Sequence, residues 1–311
     1  MKNTSLQLGR SLWLAVVFLF GFIGSTLAGE PLVDVAWVKA NLGKTGVVLI
    51  DVRPASDYLR GHIPGAVNTD VDKSGWVEER AGVPHEFPEK LDKLASYIGG
   101  LGIDNTTHVV VVSAGNHYND MYWPTRIYWT FKVLGHDNVS ILNGGMSEWT
   151  KDKTNPLENG AAKTAAAKTF TVHLNKETLA TVNDIKAALE KKNVLLVDSR
   201  PEDQFAGINR HPKAAESGTL PGARNLPVSW VFENGGGVFR PRSELEKLFK
   251  VANVPTSGEQ VNFCNTGLYA TIGWFVASEL MGNKKVKMYD GSMTEWTITK
   301  AGPVEQHVKL Q

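Results

Sequence analysis

Gln260-Val261-Asn262-Phe263-Cys264-Asn265-Thr266-Gly267-Leu268-Tyr269-Ala270-Thr271 contains the only cysteine of the 311-residue chain. Val261 to Phe263 reads as the end of a β-strand. From Leu268 to Met281, apolar residues at Ile272, Phe275, Val276, Leu280 and Met281 follow the spacing of a helix. A short loop, Cys264 to Gly267, joins the two. A strand, a tight loop and a helix start make a natural anion site, because loop N–H groups converge there and the helix N-terminus is electropositive. A thiol in such a loop is expected to have a lowered pKa, and the thiolate is the reactive form. The alternative is a structural cysteine, since free cysteines are among the most buried residues.

Outward from this stretch, the chain is one unit written twice. In the first half, Leu32 to Asn41 reads as a short amphipathic helix. Val47 to Ile50 is an apolar strand ending at Asp51-Val52-Arg53-Pro54. Gly61-His62-Ile63-Pro64-Gly65-Ala66-Val67-Asn68 marks a turn leading into a second strand. Residues 88–99 read as a helix, His108 to Val112 as a buried strand, and Trp123 to Leu134 as an apolar helix. Val139 to Leu142 is a last strand, closed by Asn143-Gly144-Gly145 and Trp149. In the second half, Val194 to Val197 ends at Asp198-Ser199-Arg200-Pro201. Gly218-Thr219-Leu220-Pro221-Gly222-Ala223-Arg224-Asn225 answers the turn, with an insertion near Ala206 to Ser217. Asp290-Gly291-Ser292 and Trp296 answer the close. Three ordered matches indicate a duplicated domain rather than a solenoid. Alternating strands and helices predict, in each copy, a mainly parallel sheet with helices on both faces and a site at the carboxyl ends of the strands. Ser113 takes the place of Cys264 in the first copy.

The remaining sequence sets bounds. Lys2 and Arg10 precede an apolar run from Leu12 to Ile23, and small residues follow as far as Ala28. This pattern predicts a signal peptide over residues 1–28 and a periplasmic or secreted protein; the alternative is a retained membrane anchor, for which the run is short. The expected domains are 31–152, without the thiol, and 170–303, with it. A linker rich in Ala, Lys, Asn and Gly lies between them at 153–169. A composition 42% hydrophobic and 21% charged is that of a globular protein, and a net charge of +1 gives no electrostatic case for nucleic acid. No metal-ligand spacing and no Gly-rich dinucleotide fingerprint occurs, so neither a metal nor a cofactor is expected. Once the signal peptide is removed, no membrane contact is expected either. A lone cysteine outside the cytoplasm cannot form an intramolecular disulfide, which favours a chemical role.

Together, the paired Asp-x-Arg and Gly-x-x-Pro-Gly-Ala motifs, the two closing motifs and the second-half cysteine resemble the rhodanese (sulfurtransferase) family in its tandem-domain form, of an exported bacterial type. The resemblance covers residues 31–300. It implies two rhodanese-like domains, the first inactive. It also implies a Cys264 that takes sulfane sulfur from a small anionic donor, thiosulfate or 3-mercaptopyruvate, and passes the persulfide sulfur to a thiol or cyanide. Cys264 is then the nucleophile, and the N–H groups of Asn265, Thr266, Gly267 and Leu268 hold the negative terminal sulfur in the manner of an oxyanion hole. Tyr269 closes the substrate-binding loop.

The loop carries no cation, which resembles the mercaptopyruvate enzymes, and Thr266 stands where those enzymes place a serine. In them an Asp and a His act with that hydroxyl, which assigns Asp51 and His62 to a proton relay. The alternatives are that Asp51 caps a turn, His62 belongs to the repeat, and Thr266 caps a helix. At Gln204 the family carries a donor-binding Arg. Arg210 and Arg242 are the nearest replacements, among Arg53, Arg224 and Arg240, although surface solvation is the ordinary role of each. Asp198 and Arg200 read as supports of the loop. Trp76, Trp230 and Phe232 read either as cleft walls or as core. A phosphatase on this fold needs an Arg six residues after the cysteine to clamp phosphate, and position 270 is Ala. The remaining rival is a non-enzymatic persulfide carrier or sulfur-species binding protein.

Overall fold

The computed structural model describes residues 29–161 and 166–310. The expected signal segment, residues 1–28, lies outside them. Two five-stranded sheets carry the chain. The first half runs β1 (Leu32–Val33), α1 (Val35–Asn41), β2 (Val47–Asp51), α2 (Ala55–Arg60), β3 (Val67–Asn68), β4 (Glu78–Arg80), β5 (Val83–Glu86), α3 (Leu91–Gly100), β6 (His108–Val112), α4 (Tyr122–Val133), β7 (Val139–Leu142) and α5 (Gly145–Trp149). The second runs β8 (Leu179–Ala180), α6 (Val182–Lys191), β9 (Leu195–Asp198), α7 (Glu202–Phe205), β10 (Arg224–Asn225), α8 (Arg242–Val251), β11 (Gln260–Phe263), α9 (Leu268–Phe275), β12 (Val286–Tyr289) and α10 (Ser292–Ile298).

The sheet orders are β1-β7-β6-β2-β3 and β8-β12-β11-β9-β10, every neighbouring pair parallel. The two orders are the same path traced twice, as the duplicated motifs require. Central strands such as β6 are β-branched along most of their length and buried on both faces, the pattern of a parallel sheet covered by helices. A two-stranded antiparallel hairpin, β4–β5, is added in the first half.

Two boundaries differ from the sequence reading. Leu32 and Val33 form an edge strand paired with Ile141 and Leu142, and the helix begins only after Asp34. Asp34 caps it by accepting from Trp37 N at 2.7 Å, so the N-cap rather than the apolar pattern sets the start. The helix expected to reach Met281 is α-helical only to Phe275. It widens into a π-helical turn over Val276–Leu280, a device common near functional sites.

The halves are not beads on a string. One apolar core runs through both, from Ile50, Trp76 and Ile127 to Val197, Ile272 and Phe275. Its centre is the packing of α4 on α9, where Thr125 Oγ1 and Thr271 Oγ1 meet at 2.9 Å. Helix α4 is buried along nearly its whole length, in keeping with its many apolar and aromatic residues. Smaller clusters cover the outer face of each sheet.

Candidate active site

Strand β11 is the central strand of the second sheet, and Cys264 lies at its carboxyl end, 2% exposed. The chain then turns through Gly267, at φ +79°, into α9. A Cβ at Gly267 would lie 2.6 Å from Asp290 Oδ1 and 2.7 Å from the Asp290 carbonyl oxygen, so only glycine fits the turn. The resulting loop brings the backbone N–H groups of Thr266 and Ala270 near enough to the Cys264 sulfur to favour its thiolate.

The neighbouring strand β12 supplies the next contact. Ser292, just after it, holds a left-handed φ of +51°, costly for a residue with a side chain. Its Oγ accepts from Cys264 N at 3.0 Å, lies 2.8 Å from the Tyr289 carbonyl and is 3.9 Å from Sγ, within reach for a hydrogen bond to sulfur. The first residues of α10 complete the clasp. Met293 N and Thr294 N donate to the carbonyls of Cys264 and Asn265, each at 3.0 Å.

The thiol itself departs from expectation. Burial pushes the Cys264 pKa up, and the nearby Asp198 carboxylate adds to this. The Thr266 and Ala270 N–H groups and the Ser292 hydroxyl pull the other way without reversing it. The expectation of a lowered pKa counted the dipoles of the loop and omitted the desolvation of a closed site with no cation at the sulfur.

The substrate-binding residues named from sequence divide by location. Asn265 (8% exposed) and Thr266 (6%) lie with Cys264 in the buried loop, while Leu268 and Tyr269 are half-buried. Gln204 is joined to this loop, since Asn265 Nδ2 donates to its Oε1 at 2.8 Å. Arg210 is exposed and donates to the Ala214 carbonyl. Arg242 is exposed and pairs with Glu246 at 3.1 Å and with the Leu280 carbonyl at 3.0 Å. Arg240 bonds the Trp230 carbonyl and Glu244, and Arg224 the Asn253 carbonyl. The hydrogen bonds and ion pairs of these four arginines do not involve Cys264.

Arg200 is buried and spans both oxygens of Asp198, with Nη2 also donating to the Gly218 carbonyl at 2.7 Å. Its Nη1 reaches Asn265 Oδ1 at 3.5 Å. Arg53, Asp51 and the Gly61 carbonyl repeat the Asp198–Arg200 pattern in the first half. Asp51 is therefore occupied by Arg53. His62 is stacked on Tyr58, 3.8 Å between ring centres, with Nδ1 on the Tyr58 carbonyl at 2.9 Å. These contacts hold Asp51 and His62 within their own half and do not extend to Thr266.

Aromatic side chains from both halves pack together beside the Cys264 loop, with Phe232 buried in the core. Tyr118, in a 3₁₀ turn of the first half, lies 6.4 Å from Phe232 and 6.4 Å from Tyr269, centre to centre. Tyr269 Oη donates to Asn119 Oδ1 at 2.5 Å. Burial raises the Tyr269 pKa, with further contributions from Tyr118 and Cys264. Trp76 belongs to the core, its Nε1 donating to Thr69, while Trp230 Nε1 donates to Glu202. In the first half, Ser113 Oγ donates to Met121 Sδ at 3.3 Å, beside a hollow of about 390 Å³ lined by Arg53, Asp70, Tyr122 and Trp123.

Sequence reasoning missed Ser292, Ala270, Tyr118 and Asn119. One signal was present for Ser292. The matching position in the first half is Gly145, also left-handed at φ +53°, where a Cβ would meet the Ser113 carbonyl oxygen at 2.3 Å. A serine in a place that asks for glycine marks a hydroxyl in use.

Comparison with known proteins agrees with the duplication. The family described as "Rhodanese-like domain" matches residues 34–152 and again residues 181–299. The 3-mercaptopyruvate sulfurtransferase of Homo sapiens is 32% identical over 272 residues, covering 86% of this chain and 86% of that one. The thiosulfate sulfurtransferase of Bos taurus is 31% identical over 289 residues, covering 91% and 89%. Among solved structures, SseA from Escherichia coli, described as a 3-mercaptopyruvate sulfotransferase, superposes with a TM-score of 0.74 at 26% identity. That superposition covers 85% of this chain and 98% of that one.

Proposed function

The chain belongs to the rhodanese family, and from that premise we propose that it is a sulfurtransferase working through a persulfide on Cys264. The observation that carries this is the single cysteine at the end of β11, buried in a tight loop before α9 with its backbone N–H held by Ser292 Oγ and the Thr266 and Ala270 N–H groups near its sulfur. The Cys264 thiolate attacks the outer sulfur of the donor. With thiosulfate, a new S–S bond forms as the donor's S–S bond breaks, and sulfite leaves with the electron pair. With 3-mercaptopyruvate, the C–S bond breaks and the carbon takes up a proton to give pyruvate. In either case the outer sulfur becomes the negative end of a persulfide. The loop N–H groups near the sulfur stabilise that charge in the manner of an oxyanion hole. A thiol or cyanide then attacks the outer sulfur, and Cys264 leaves as thiolate.

The donor is taken to be a small anion of this kind. The absence of a cation in the loop and the presence of Thr266 favour 3-mercaptopyruvate. An exported protein is proposed on Lys2, Arg10 and the apolar run that follows them. N-terminal sequencing of the mature protein from a cell fraction tests this, and a start at Met1 in the cytoplasm would refute it.

The reaction is tested by incubating reduced protein with each donor and measuring intact mass. Wild type should gain one sulfur atom, and Cys264→Ser should gain none and turn over neither donor. The exchange is nearly isosteric, so the variant should stay folded. Retained turnover would place the chemistry elsewhere.

A further inference from the structure

Helix α4 belongs to the half without the thiol, yet its Arg126 (0% exposed) ends directly behind the Cys264 loop. Arg126 Nη1 lies 2.5 Å from Asp290 Oδ1 and Nη2 lies 3.3 Å from Oδ2. Asp290 Oδ2 also accepts from Phe87 N at 2.5 Å, so the first half holds both oxygens of a second-half carboxylate. Asp290 in turn touches the site on two sides. It is two residues before Ser292, whose Oγ bonds Cys264 N. It is also the wall against which Gly267 turns, where an added Cβ would stand 2.6 Å from its Oδ1 and 3.2 Å from Arg126 Nη1.

Stability alone does not account for this pair. A buried ion pair contributes little compared with apolar residues of similar size, because desolvation offsets the attraction. Arg126 Nε has no hydrogen-bond partner, and the guanidinium lies over the Trp129 ring at 4.8 Å.

The duplication supplies an internal control. The closing motifs make Asp290 correspond to Asn143. Asn143 Oδ1 accepts from Phe239 N at 2.9 Å, just as Asp290 accepts from Phe87 N. The half without a thiol therefore closes with the neutral Asn143. Only the half with the thiol has a charged residue at this place.

We propose that Arg126 is a positioning residue for the sulfur-transfer site, acting through Asp290 to hold Gly267 and Ser292 so that the loop N–H groups point at the Cys264 sulfur. This rests on the sulfurtransferase reading above. The first half thus contributes part of the catalytic framework.

The double variant Arg126→Ile/Asp290→Asn removes both charges and gives position 290 the residue of its first-half counterpart, Asn143, while an amide oxygen remains for Phe87 N. Its unfolding midpoint should stay close to wild type. Its persulfidation rate at fixed pH should fall about tenfold to a hundredfold, the scale of a loosened reacting geometry. The donor KM should change little. The pH midpoint for Cys264 alkylation, measured without any donor, should rise by about one unit as the N–H groups lose their aim. A double variant with the wild-type rate and midpoint would overturn the proposal. Should it fail to fold, Arg126→Lys decides: the charge stays and the fork is lost. A slower rate with an upward midpoint supports positioning, and wild-type values of both refute it. Wild-type protein that gains no sulfur from any donor would instead refute the sulfurtransferase reading, while the alkylation midpoints would still report on Arg126.

Discussion

At the scale of single residues, Cys264 shows two opposing effects and which one prevails at rest. The loop dipoles favour a thiolate, but burial disfavours it, and burial wins. The sign of the pH dependence follows. A thiol with a raised pKa is still protonated where an ordinary cysteine, at about 8.5, has begun to ionise. Persulfidation of wild type should therefore keep rising with pH through that value, and a plateau already reached near neutrality would contradict it. The same shift appears in stability. The folded state holds the proton more tightly than the unfolded chain, so the contribution is full below the unfolded pKa and is lost as pH rises through the folded one. Denaturant titrations at several alkaline pH values should show wild type losing stability relative to Cys264→Ser. Ser113 is the contrasting residue. It bonds a methionine sulfur in the half without a thiol, and Ser113→Ala should leave the transfer rate nearly unchanged. A loss like that of Cys264→Ser would overturn the assignment of the second half as the reacting one.

At the scale of elements, the site is the junction of β11, α9 and the turn after β12, and what was legible in sequence follows that geometry. Cys264, Gly267 and the strand–loop–helix order lie within one short stretch, so local rules recovered them. The Asp-x-Arg supports were legible because they occur twice. Asp290 and Ser292 follow a strand that neighbours β11 only in the folded sheet, and Arg126 comes from the other half. Local rules do not carry such contacts. Gln204 is intermediate: its position pointed to donor binding, but its partner, the Asn265 amide, appears only in the structure. This alters what Gln204→Arg should do. An arginine at the site adds a charge-assisted bond to an anionic donor, roughly 1.5–3 kcal/mol. It removes an acceptor for Asn265, a neutral bond of about 0.5–1.5 kcal/mol. The gain exceeds the loss, so the KM for thiosulfate should fall several-fold while kcat falls modestly. Arg210→Ala and Arg242→Ala should leave KM unchanged, since both side chains are engaged elsewhere. Steady-state kinetics on the three variants checks this, and a KM that rises in either Arg→Ala variant would show a donor contact not present in the resting site.

At the scale of the whole molecule, duplication has produced two halves that share one apolar core. The apolar core is continuous across the halves, and Tyr118 from one half packs against Phe232 and Tyr269 from the other. A second half opened away from the first would expose α9 and Ile272 to water and leave Asp290 without its cation. Separate unfolding of either half is therefore expensive, and the two should unfold together. Ile127→Ala tests this from a position remote from the thiol in sequence. Ile127 is fully buried on α4, in the first half. Truncating a buried isoleucine costs about 2–5 kcal/mol, through lost burial and the cavity left behind. If the halves are coupled, that loss must appear at Cys264. The denaturant concentration at which Cys264 becomes reactive to a thiol reagent should drop together with the midpoint of the circular dichroism transition. Both probes should give one coincident curve in wild type and in the variant. If Ile127→Ala moves the dichroism midpoint while Cys264 keeps its wild-type protection, the halves unfold separately. The shared core would then be a contact surface rather than a single folding unit.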